Sequence, residues 1–90
     1  MTRIFVRYQT KNTHGNRSDI DKAGGSWNEF YTKISVYERP SFPDALNVDI
    51  VIEGSGYHEV MNNYEGLTAH FEKHGVVLEK VSGPAITQNF

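Results

Sequence analysis

Three stretches of the chain alternate apolar and polar residues, and a fourth carries apolar residues at helical spacing. In the first, Ile4, Val6 and Tyr8 fall on one side of an extended backbone and Arg3, Phe5 and Arg7 on the other, because successive side chains of a strand point to opposite faces. Trp27 to Glu38 is the longest such pattern: Phe30, Thr32, Ile34 and Val36 share one face, and Tyr31, Lys33, Ser35 and Tyr37 the other. Asn47 to Glu53 alternates again, with Val48, Ile50 and Ile52 against Asp49, Val51 and Glu53. The segment from Arg39 to Asp44 between these two strands holds Pro40 and Pro43, which remove ladder donors, and it is predicted to be a turn.

The helical stripe is Tyr57, Val60, Met61, Tyr64, Leu67 and Phe71, with steps of three, one, three, three and four residues. Ser55 and Gly56 offer its start, Gly75 its end, and Lys73 and His74 suit the negative end of the helix dipole. Asn62, Asn63 and Gly66 are poor helix formers in mid-stripe and admit a second reading, in which the helix starts near Asn63 and Tyr57 to Met61 is extended. Both readings bury Leu67 and Phe71. Val76, Val77 and Leu78, too short a run for a helix, are predicted to be a buried fourth strand. Residues 10–26 show no apolar period and include Gly15, Gly24 and Gly25, so they are expected to form a long flexible loop. Residues 83–90, with Ile86 and Phe90, are expected to be a C-terminal tail.

The resulting order is β-β-β-α-β. It predicts an α+β fold, a mostly antiparallel four-stranded sheet with one helix packed on the face made by Ile4, Val6, Ile34, Val36, Val48, Ile50 and Ile52. A last strand reached by crossing over the helix is expected to run parallel to the first and third strands.

Ninety residues make one domain, 1–90, and a hydrophobic fraction of 38% with 22% charged residues lies in the globular range. Without cysteine there is neither a disulfide framework nor a thiolate metal site. No basic segment leads an apolar run, and no apolar stretch approaches the ~20 residues that span a bilayer, so a soluble cytoplasmic protein without membrane contact is expected. The net charge of −2 excludes a generally basic nucleic-acid binder and an acidic DNA mimic alike. Its distribution is uneven: seven Lys and Arg against five acids up to Ala45 give +2, and two against six thereafter give −4. Such a dipolar surface steers encounter with a partner.

Four histidines raise the question of a metal. His70 and His74 are four apart on the predicted helix, with His58 further up the same element, but the stretch reads His-Phe-Glu-Lys-His. Glu72 is one place later than in the zinc-protease pattern, so it points away from the pair, and the positions suit a flank of the apolar stripe and a helix C-terminus equally well. Asp19, Asp21 and Asn16 are oxygen donors in a loose array, but the series breaks off at Lys22-Ala23-Gly24, where a calcium loop needs further acids. No phosphate loop, Gly-x-Ser-x-Gly elbow or cysteine nucleophile is present. The expectation is a protein without catalysis and without a cofactor; a small metal-dependent enzyme using His58, His70 and His74 is the lesser alternative.

The face turned away from the helix is more informative. It is predicted to display Arg3, Phe5, Arg7, Tyr31, Lys33 and Tyr37, basic residues interleaved with aromatic ones, and the long loop can add Arg17 and Lys22. Tyrosine and arginine are enriched anchors of protein interfaces, so another protein or protein complex is the expected partner. The alternative is single-stranded nucleic acid stacked on the same rings, against which Asp49 and Glu53 on the third strand would repel phosphate. An exposed aromatic face also suits self-association into a homodimer. No motif matches a family closely enough to carry residues across. In size, lack of cysteine and compact strand-helix-strand plan, the chain resembles the small inhibitors that bacterial viruses make against host enzymes or defence complexes. That resemblance implies a stoichiometric inhibitor or regulator that acts by occupying a surface, in the host cytoplasm.

Overall fold

A computed structural model describes residues 1–27 and 32–88 of the chain. In chain order the elements are β1 (Thr2–Lys11), α1 (His14–Gly25), β2 (Thr32–Arg39), β3 (Phe42–Gly54), α2 (Tyr57–Lys73) and β4 (Glu79–Gln88). The strands form one sheet in the order β2-β3-β1-β4, and each neighbouring pair is antiparallel. The expected α+β class and four-stranded antiparallel sheet are therefore present, with two helices on the sheet instead of one.

The second helix changes the topology. Because α1 carries the chain over the sheet, β2 lies two places from β1 with β3 between them; in the same way α2 carries it from β3 to β4 with β1 between. These are two interlocked split β-α-β units. β1 thus runs against β3, not with it, and β4 is antiparallel to β1 and parallel in direction only to β3, which corrects the expected meander.

Residues 14–25 are helical where a loop was expected. Only Ile20 and Ala23 are buried there, too few positions to establish a period, and three glycines lower the intrinsic propensity. The helix is started by Thr13, whose hydroxyl accepts the amide of Asn16 at 3.1 Å, and held by those two apolar side chains in the common core. Asp19 and Asp21 stand two apart on it and so point to different sides. The expected tail is also structured, since 83–88 belong to β4, while Val76 to Leu78 form the connection before it. Val77 is 83% exposed, so the apolar run there does not mark a buried strand.

α2 spans the full stripe from Tyr57, which decides between the two starting points. Its N-cap is Gly56 without a side-chain bond; Ser55 instead donates its amide and its hydroxyl to Glu59, one turn on. Gly66, a poor residue in mid-helix, has a reason. A Cβ there would lie 3.0 Å from the Trp27 ring, so the missing side chain makes room for the indole. Trp27 accordingly packs on α2 and does not begin the second strand; the expected strand positions Phe30 and Tyr31 lie outside the described residues.

The core lies between the sheet and the two helices. Ile4, Val6, Tyr8, Leu46, Val48, Ile50 and Ile52 meet Val60, Leu67 and Phe71 of α2 and Ile20 and Ala23 of α1. Ile34 packs against this cluster only in part, and Val36 is 37% exposed, so the aliphatic row of β2 is less covered than its pattern suggested. Tyr8 and Tyr64 join their hydroxyls at 2.7 Å, which satisfies two polar groups at the rim; burial first, and this bond second, raise the Tyr8 pKa. Tyr57, the first residue of the stripe, is 45% exposed.

Candidate functional site

The alternation of β1 and β3 turns one row of each strand to the helices and the other to the open face. In register, Arg3 stands opposite Glu53, Phe5 opposite Val51 and Arg7 opposite Asp49, while Lys33, Ser35 and Tyr37 of β2 stand opposite Val51, Asp49 and Asn47. Arg3, Phe5, Arg7, Lys33 and Tyr37 are therefore on one face, as the sequence predicts. Tyr31 lies outside the described residues.

The charges on this face are largely spent on one another. Arg7 makes two parallel bonds to Asp49, Nε to Oδ1 at 2.9 Å and a terminal nitrogen to Oδ2 at 3.1 Å. The Tyr37 hydroxyl donates to the same carboxylate at 2.9 Å. Arg3 reaches Oε1 of Glu53 with Nε at 3.1 Å and a terminal nitrogen at 2.9 Å. The Arg7 guanidinium also lies 5.5 Å from the centre of the Phe5 ring. What a ligand meets is thus a flat surface of Phe5, Val51 and Tyr37 bordered by paired charges, with the ammonium of Lys33 at its side. At the hairpin end Arg39 lies 5.3 Å over the ring of Phe42, which is 57% exposed.

The electrostatics follow from the pairing. Burial pushes the Asp49 carboxyl up, but the bonds from Arg7 and Tyr37 and the Arg7 charge outweigh it and hold the pKa below its ordinary value. The bonds that Arg7 donates to Asp49, and the charge of that carboxylate, in turn raise the Arg7 pKa. A carboxylate depressed in the folded state contributes stability that is complete above its unfolded value, about pH 4, and is lost as pH falls through the folded one. Asp49→Asn removes that contribution. The variant is expected to melt a few degrees below wild type at pH 7, and thermal melts followed by circular dichroism should show the gap closing as pH falls towards about 2.

Other residues singled out from the sequence lie elsewhere. Arg17 and Lys22 sit on α1, in the helical layer; Arg17 bonds Asn12 Oδ1 at 2.7 Å and pairs with Glu38, and Lys22 is exposed in the last turn. The structure does not bring them to the open face, because the segment that holds them is a helix and not a loop. His58, in the first turn of α2, lies edge-on to Tyr57 and twelve residues from His70, about 18 Å along the axis. His70 binds the end of α1: Nε2 is 2.9 Å from the Ala23 carbonyl, which only accepts, and 2.8 Å from Ser26 Oγ. Its ring lies 5.3 Å from Trp27 and 4.5 Å from His74. His70 thus ties the two helices together. Among the described residues no three His, Asp or Glu side chains converge to hold a metal ion.

Arg39 and Phe42 border the open face beside Gln9 and Asn47, where the sequence predicts only a turn. Val51 was visible in the alternation, but its place between Phe5 and Lys33 depends on the strand order. No helix among the described residues is long and apolar enough to cross a membrane. Comparison with known proteins finds no family model, no curated protein and no solved structure that matches the chain.

Proposed function

We propose that the protein is a non-catalytic binding module that docks another protein on the open face of its sheet, as a stoichiometric inhibitor or regulator. The observation that carries this reading is the pairing of Arg3 and Arg7 with Glu53 and Asp49. A surface that binds phosphates needs cations available to replace counterions, whereas here each arginine already faces a carboxylate across the strand pair. Paired charges around Phe5, Val51 and Tyr37 instead resemble the anatomy of protein interfaces, an apolar and aromatic centre within a polar rim. The side chains also lie on a rigid sheet, so little ordering entropy opposes docking.

Capture from a lysate of the cell type in which the protein acts, followed by quantitative mass spectrometry, tests the reading when wild type is compared with Phe5→Ala/Tyr37→Ala. Tyr37 is 37% exposed, Phe5 is half-buried and neither joins the buried core, so the variant is expected to fold. A protein partner should be enriched by wild type and lost with the variant, and kept by Glu65→Ala, an exposed position of α2 on the opposite side of the sheet. Enrichment of nucleic acid sensitive to nuclease, or equal enrichment by both forms, would oppose it.

A further inference from the structure

The two edges of the sheet are not equivalent. An edge strand exposes a row of unpaired amides and carbonyls, a template for a further strand unless something blunts it. β4 is blunted: its pairing with β1 shifts register twice, Gly83 adopts φ +93°, and Pro84 has no amide to offer. β2 from Thr32 to Glu38 has neither proline nor glycine and pairs with β3 in unbroken register. Among the described residues the sheet order places no strand on its other side.

We infer that β2 pairs with β2 of a second copy, antiparallel about a two-fold axis at Ser35, to join two sheets into one of eight strands. The register is argued from self-complementarity. With Ser35 on the axis, Lys33 faces Tyr37 of the copy on the open side, a cation beside an aromatic ring, and this happens twice. On the helical side Ile34 faces Val36, again twice, so the two incompletely covered aliphatic residues of the strand cover one another. Thr32, whose buried hydroxyl has no hydrogen-bond partner among the described residues, comes opposite Glu38. Moving the axis one residue on, to Val36, would set Lys33 against Arg39 and Ile34 against Glu38, which is unfavourable on both faces. Such a dimer places both helical layers on one side. It makes the two open faces continuous, with Lys33 and Tyr37 of both copies at the seam.

The pairing shares Tyr37 with the open face but does not rest on what that face binds, and its test, made at Ser35, is separate. Sedimentation and light scattering should show the mass rise from the 10.2 kDa of one chain towards twice that as concentration increases. Ser35→Lys keeps a favourable neighbour within its own chain, since Asp49 is its cross-strand partner, but sets two like charges directly opposite on the axis, with their Cβ atoms about 5 Å apart. It should stay a folded monomer, and mixing it with Ser35→Glu should restore the dimer. On unmodified protein, amides of β2 should exchange more slowly as concentration rises, while those of β4 do not change. A wild type monomeric to about 1 mM, a dimer indifferent to Ser35→Lys, or β2 exchange independent of concentration would each overturn the assignment.

Discussion

Gly83→Ala is expected to destabilise the protein by about 2–5 kcal/mol, the sum of a left-handed backbone penalty of about 1–2 and a clash of about 1–3. At φ +93° a Cβ would lie 2.6 Å from the carbonyl oxygen of Phe5 and 3.2 Å from the Cα of Val6, and both are backbone atoms of the central strand. Nothing flexible is there to yield. The glycine lets β4 bulge where its register against β1 shifts between Phe5 and Arg7, and close again on either side. Urea unfolding followed by circular dichroism measures the cost, and against a total of roughly 5–13 kcal/mol for a chain of this size it is large. An unchanged midpoint would mean that β4 does not lie on β1 as described.

Phe71→Ala should cost about 3–5 kcal/mol, because the ring is 3% exposed and its removal leaves a cavity that the sheet beneath can fill only in part. The comparison within the same stripe is more telling than the value. Tyr57, at the other end of α2, is 45% exposed, and Tyr57→Ala is expected to stay within about 0.5 kcal/mol of wild type. Equal losses at both positions would mean that the helix is rotated from its described orientation. Denaturant midpoints of the two variants decide it.

These two positions also show which parts of the structure could be read in the sequence. Phe71 was legible because it closes a stripe of six apolar residues, and the strands were legible because alternation over seven or more residues leaves one choice of face. Gly83 was not. β4 pairs through its backbone, its side chains are nearly all exposed, and a strand without a buried row leaves no period in the sequence. α1 was missed for a related reason: with Ile20 and Ala23 as its only buried residues, its start was marked by the Thr13 cap and by little else. Missing one helix put β2 beside β1 when it lies at the sheet edge, since a crossover and a hairpin deliver the next strand to different places. The rows of the open face survived this error because a change in strand order does not swap the faces of a strand. Their charge state did not: that Arg3 and Arg7 meet Glu53 and Asp49 depends on β1 lying directly beside β3.

That neighbouring of strands is why a protein, and not a track of phosphates, is proposed for the open face. Two arginines that would otherwise be free cations are held in bidentate or near-bidentate contact with carboxylates, and one of them covers an aromatic ring. The same bonds order Tyr37 through Asp49, so the surface is arranged before any partner arrives.

The central claim is tested most directly by calorimetric titration of the captured partner with wild type and with Phe5→Ala/Tyr37→Ala, each at low and at raised salt. Affinity should fall at least about thirtyfold in the variant, as loss of an aromatic anchor requires, and should change little with salt because the arginines of the face are already paired. Affinity that collapses with salt, or that is the same in both proteins, would contradict it.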